Sequence, residues 1–167
     1  RFGCEFCAVS AYFGAQHHCR AIEETIREIE SQERRHIFFV DDNLLADHQR
    51  AKELFKALIP LELQWVSQGS IDMTDDPELM ELMVASGCLG HVIGFESINP
   101  ENLSQMGKSP NLSGGADRYA RQIETLRQHG LQTWAAFTLG HDHDTPESMQ
   151  ELLDFALSNR FTFAAFN

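Results

Sequence analysis

The chain has 167 residues, enough for one domain with a sizeable core, and 43% of them are hydrophobic. Its formal net charge is −12, from 13 Lys and Arg against 25 Asp and Glu. Such a surface repels phosphate backbones and anionic lipid headgroups, which disfavours broad nucleic-acid binding and membrane docking. The longest apolar runs, such as Ile37-Phe38-Phe39-Val40, are far too short to span a bilayer.

In chain order, the first feature is Cys4 and Cys7, a C-x-x-C pair in a short loop with Phe6 before the second cysteine. Alone, the pair fits half of a zinc site, a redox dithiol or part of an iron–sulfur cluster. With four cysteines in all, the chain is no disulfide scaffold, and the clustered pair suits a reducing compartment such as the cytoplasm. Ile22, Ile26 and Ile29 recur at i, i+4, i+7 and predict an amphipathic helix over roughly 21–34. A strand from His36 to Val40 follows and stops at Asp41-Asp42-Asn43. Ala51, Leu54, Phe55 and Leu58 mark a second helix, ended by Pro60. The next strand is Leu63 to Ser67. Asp76-Pro77 then reads as an N-cap with proline in the first turn, ahead of a buried stripe of Leu79, Leu82 and Met83 and a stop at Gly87. Cys88 reads as a plain buried thiol.

A strand from His91 to Phe95 ends at Glu96-Ser97, and Asn99-Pro100 starts a short helix. Residues 107–115 form the one clear loop. Tyr119, Ile123 and Leu126 mark a helix closed by Gly130. The strand Thr133 to Leu139 leads to Gly140-His141-Asp142-His143-Asp144, and Thr145-Pro146 caps a helix carrying Met149, Leu152, Leu153 and Ala156. Phe161 to Phe166 is the last strand. Alternating helices and apolar strands indicate an α/β fold with a parallel sheet, either doubly wound or a (β/α) barrel. Trp65, Phe95 and Phe137 are expected in its core.

Chemistry in parallel folds collects where strands end. Here the ends are Asp41-Asp42-Asn43, Ser67-Gln68, Glu96-Ser97, Gly140-His141-Asp142 and Asn167, all polar. Gln68 and Ser70 either face this mouth or satisfy backbone in the loop that follows.

These stretches carry a family likeness. Cys4-Glu5-Phe6-Cys7 resembles the end of the radical S-adenosylmethionine (SAM) signature, C-x-x-x-C-x-aromatic-C. Phe39-Val40-Asp41-Asp42-Asn43, Trp65-Val66-Ser67-Gln68, Ile93 to Pro100, Leu103 to Lys108 and Gly140 to Pro146 resemble the same superfamily in order and spacing. The likeness is nearest to the branch whose members often carry a cobalamin-binding domain. It implies a partial (β/α)6 TIM-like barrel, truncated at both ends, to which this chain contributes strands two to six. The first strand and the first signature cysteine are expected before Arg1.

The resemblance implies further roles. Cys4 and Cys7 are expected to supply two of the three thiolates of a 4Fe–4S cluster, whose open iron chelates SAM. Phe6 is expected near the adenine, and Asp41 and Asp42 where many relatives place a Gly-Gly-Glu motif on the SAM ammonium. Ser67 and Gln68, with Glu96 and Ser97, fall where relatives contact SAM, the latter pair at its ribose or amino-acid part. Gly140 and His141 lie in a glycine turn that approaches the adenine. The implied chemistry is a 5′-deoxyadenosyl radical that abstracts hydrogen from a small-molecule substrate, with a donor such as flavodoxin or ferredoxin supplying the electron. Cobalamin is expected only through a domain outside this segment, and the missing parts of the chain itself are needed as partners.

The residues also admit other readings. Asp41, Asp42, Glu96 and residues 141–144 could serve a metal-dependent barrel hydrolase or lyase. Cys4 and Cys7 with His17, His18 and Cys19 could form a non-catalytic zinc module, although adjacent histidines are not at ligand spacing. For residues 141–144, a polar loop capping the next helix through Thr145 outweighs a metal site.

Overall fold

The computed structural model describes residues 7–13, 18–108, 111 and 115–167. The helices are α1 (Ala8–Phe13), α2 (Ile22–Ser31), α3 (His48–Leu58), α4 (Pro77–Ala85), α5 (Pro100–Gln105), α6 (Gly115–Gln128) and α7 (Pro146–Ser158). The strands are β1 (His36–Phe39), β2 (Gln64–Gly69), β3 (Cys88–Glu96), β4 (Gln132–Phe137) and β5 (Phe163–Phe166).

Helix starts fall where side chains satisfy the orphan amides of the first turn. Asp47 accepts from Arg50 N at 3.1 Å, Asp76 from Leu79 N at 3.1 Å and Asn99 from Glu101 N at 2.8 Å. Thr145 and Ser148 close a reciprocal capping box. Each such cap is worth about 1 kcal/mol. At the other end of α4, Gly87 has φ +86°, and a Cβ there would lie 1.8 Å from the Leu63 carbonyl oxygen. Glycine alone allows α4 to stop and the chain to enter β3 beside that backbone.

All pairings are parallel, in the order β1-β2-β3-β4-β5. Each crossover thus steps one strand in a constant direction. Because crossovers are right-handed, their helices stack on one face, which selects the barrel-like winding over the doubly wound one. The core lies between that face and the helices. Trp65 is buried against Phe55, with ring centroids 5.0 Å apart, and meets the edge of Phe39 at 5.6 Å. Phe95 packs on Tyr119 at 5.0 Å and Phe137 at 5.7 Å. The opposite face is open: Phe38 is 51% exposed and Phe163 61%.

Several details differ from the sequence expectation, besides element ends that move by one to three residues. A short helix, α1, occupies part of what reads as an N-terminal loop. β3 begins at Cys88 rather than His91. Met80 is buried in addition to the expected stripe, with Leu82 partly buried against the core, because α4 packs on both α3 and the sheet and so needs two adjacent apolar positions. On α7, Leu152 and Ala156 face inward, whereas Met149 and Leu153 are 38% and 40% exposed.

Behind the sheet His91 is fully buried. Ser67 Oγ lies 2.9 Å from its Nδ1, and Met83 Sδ and Cys88 Sγ lie 3.2 and 3.4 Å from its Nε2. Burial pushes the imidazole pKa down to about 4 and the Cys88 thiol up to about 12. Cys88 is thus the inert thiol its position implied.

Two outcomes follow from this packing. Gly87→Ala forces a left-handed alanine into backbone and is expected to lower stability by at least about 2 kcal/mol in urea unfolding. For His91, the unfolded chain binds the proton more readily between the unfolded pKa of about 6.5 and the folded one. Stability is therefore unaffected by this group above pH 7 and falls as pH drops. The loss should reach about 2 kcal/mol at pH 5. Urea midpoints of wild type and His91→Phe at pH 7 and pH 5 check this, since the wild type alone should show the extra loss. Equal pH dependence in both would remove His91 as its source.

Candidate functional site

In a parallel sheet of consecutive order, every C-terminal strand end points the same way. The open face and these ends form one mouth, with Gln68, Val92, Trp134 and Phe163 sharing a row across β2 to β5.

The end of β3 is the most elaborate part. The register slips between Gly94 and Glu96, so Phe95 is an extra residue opposite β4. Glu96 has φ +64°, and Ser97 N donates to Phe95 O at 2.8 Å, which makes a γ-turn centred on Glu96. A non-glycine residue held there costs about 1–3 kcal/mol. The bulge re-aims the Glu96 side chain over the open face. Lys108 Nζ donates to Glu96 Oε1 at 2.6 Å and to Gly94 O at 2.7 Å. Thr138 Oγ1, just past β4, donates to Glu96 Oε2 at 2.8 Å. A Cβ on Gly94 would lie 2.3 Å from Glu96 Oε1, so glycine leaves the space the carboxylate occupies.

The end of β4 is a second built element. Gly140 has φ +88° and open space where a Cβ would stand. Its amide and that of His141 donate to Asp144 Oδ2 at 2.8 and 2.9 Å. Asn102 of α5 donates to Asp144 Oδ1 at 2.7 Å and accepts from His143 N at 3.3 Å. Gln105 donates to Asp142 Oδ2 at 2.6 Å. The carboxylates of residues 142 and 144 thus hold the loop together, and Thr145 caps α7 as expected. Among the described residues, no three His, Cys, Asp or Glu side chains group as metal ligands.

The residues singled out in the sequence divide accordingly. Gln68, Glu96, Gly140 and His141 stand at the mouth, with Asp41 and Asp42 exposed at the end of β1. Ser67 and Ser97 require correction. The Ser67 hydroxyl is buried on the helix-facing side against His91, so that side chain does not reach the open face. Ser97 Oγ is buried and accepts from Asn99 N at 3.0 Å, a turn-forming role. Ser70 accepts from Asn43 Nδ2 at 3.2 Å. Cys7 is half-buried immediately before α1, and its carbonyl accepts from Ala11 N at 3.0 Å. Cys4, Phe6 and His17 lie outside the described residues, while His18 and Cys19 are exposed.

Both oxygens of Glu96 have partners, Lys108 on one and Thr138 on the other. The sequence reading assigned no role to Lys108, Thr138 or Asn102. The available signal was a strand-ending acid followed by a lysine beyond one short helix.

The mouth fits an adenosyl ligand in two respects. His141 Nε2 is shielded from solvent without a hydrogen-bond partner, which leaves one polar atom for a ligand. The Gly140 turn offers bare backbone for close approach.

Comparison with known proteins agrees with this architecture. The chain is 30% identical to bacteriochlorophyllide d C-12(1)-methyltransferase of Chlorobaculum tepidum, over 99% of this chain and 37% of that protein. It is 26% identical to hopanoid C-2 methylase of Rhodopseudomonas palustris, over 99% of this chain and 33% of that one. The chain thus spans about a third of the length of these relatives. Among solved structures it resembles TsrM of Kitasatospora setae, a radical S-adenosylmethionine methyltransferase, with cobalamin and a [4Fe-4S] cluster bound. The TM-score is 0.85 at 20% identity, covering 99% of this chain and 34% of TsrM. The family model described as the radical SAM superfamily matches residues 1–156. The chain belongs to the radical SAM superfamily.

Proposed function

We propose that this chain is the cofactor-holding core of a cobalamin-dependent radical SAM methyltransferase. The observation that carries the reading is the 30% identity to a methyltransferase along 99% of the chain. The built ends of β3 and β4 support it. Cys4 and Cys7 would hold a 4Fe–4S cluster with a third thiolate, and cobalamin would come from another part of the whole protein. A cluster held there would supply one-electron reducing chemistry toward the sulfonium of SAM.

The chain's own residues bind and orient. Glu96, fixed by Lys108 and Thr138, presents a carboxylate to hydroxyl or ammonium donors of SAM. His141 Nε2 offers its unused polar atom, and the Gly140 turn, with open space where a Cβ would stand, would let the base approach bare backbone. Apolar Phe38, Val92 and Trp134 on the open face would exclude water from a small-molecule substrate. A flavodoxin- or ferredoxin-type donor and a cytoplasmic setting complete the proposal. No helix among the described residues is long and apolar enough to cross a membrane.

Full-length protein purified without oxygen is expected to carry about four irons and four sulfides per chain. Cys7→Ala should lose most of both, whereas stoichiometric zinc without iron would overturn the reading. Glu96→Gln tests the SAM contact. It weakens the pair with Lys108, so melting temperature should fall. SAM affinity should also fall about ten- to a hundredfold, the worth of a charge-assisted hydrogen bond. A lowered melting temperature with unchanged affinity would leave Glu96 as a structural partner of Lys108 alone.

A further inference from the structure

One face of α5 is bonded to the loop after β4. Asn99, Asn102 and Gln105 are spaced three apart, so they line one side of that helix. Asn99 Nδ2 donates to His143 O at 3.4 Å, Asn102 Nδ2 to Asp144 Oδ1 at 2.7 Å and Gln105 Nε2 to Asp142 Oδ2 at 2.6 Å. Asn102 is fully buried, and both its donor and its acceptor are used on this loop. Asp144 in turn fills the small anion-binding concavity formed by the successive Gly140 and His141 amides. No ligand is needed to satisfy those two amides.

We propose that Asn102 and Asp144 are positioning residues that set the shape of the Gly140–His141 turn, and through it the affinity for the nucleoside part of SAM. This rests on the proposed SAM reading of the mouth. The pair touches no ligand. It fixes where the bare Gly140 backbone and His141 Nε2 stand. Because α5 follows directly from the end of β3, it also ties the Glu96 and Gly140 ends together, so the two would engage one ligand at a constant spacing. A buried Asn102 amide bonded to the half-buried Asp144 carboxylate is suited to this, since any shift of the loop breaks several bonds at once.

The hydrogen-bond polarity of the pair gives a specific test. In Asp144→Asn, the new amide group faces the Asn102 amide group, and one donor loses its acceptor. In the swap N102D/D144N, residue 102 accepts both from His143 N and from the new Asn amide, while the oxygen at 144 keeps both turn amides. The experiment measures SAM and S-adenosylhomocysteine affinity by anaerobic equilibrium dialysis on full-length, cluster-loaded protein, with melting temperature and iron content on the same samples. Asp144→Asn is expected to weaken both ligands at least about tenfold at unchanged iron content. The swap is expected to restore wild-type affinity to within about threefold. Glu151→Gln, exposed on α7 and outside the loop, should leave affinity unchanged.

If melting temperature tracks the substitutions while affinity stays constant, the pair is structural only and the inference is overturned. If Asp144→Asn does not fold, the swap alone decides, and weak binding by a folded swap overturns the inference. Failure of the cluster-loaded wild type to bind SAM would overturn the SAM reading itself, which separates the two failures.

Discussion

Each strand of this chain lands beside the one before it, always on the same side, and that constraint organises everything else. Right-handed crossovers then have one face on which to lay their helices, and the aromatic core of Trp65, Phe95 and Phe137 assembles there. The second face is left to curve around whatever the protein binds. All five strand ends point into a common mouth, so residues distant in sequence meet there without any loop having to reach for them.

Within that frame, the mouth is built by interactions among the protein's own polar groups. A bulge in β3 turns Glu96 toward the open face, Gly94 leaves room for its carboxylate, and Lys108 and Thr138 hold one oxygen each. At β4 the Asp144 carboxylate satisfies two turn amides and is itself held by Asn102. Backbone strain at Glu96, with φ +64°, is tolerated because these bonds over-determine it. The arrangement is pre-formed, so less ordering remains to be done when a ligand arrives.

The elements were legible in the sequence where a local interaction specifies them. Asp76-Pro77 and Thr145-Pro146 announce helix starts because a side-chain oxygen three residues from an amide needs no tertiary context. The parallel sheet followed from apolar strands alternating with amphipathic helices. The phase of each strand was less accessible. Val66, Ser67 and Gln68 alternate faces, and only the fold reveals that Ser67 points to His91 and Gln68 to the mouth. In β3 the extra residues Leu89 and Phe95 shift that phase twice. The Lys108–Glu96 pair was hidden for a related reason: twelve residues and a helix separate them, and their meeting depends on the bulge.

On the proposed function, the open face between the β3 and β4 ends holds an adenosyl ligand. A crystal structure of the full-length, cluster-loaded protein with SAM bound tests it most directly. The nucleoside is expected over the open face, with the base against the Gly140 turn, a polar atom on His141 Nε2 and the ribose or amino-acid part toward Glu96. A ligand seated on the helix-covered side, or at the opposite end of the strands near Gly130 and Arg160, would contradict it.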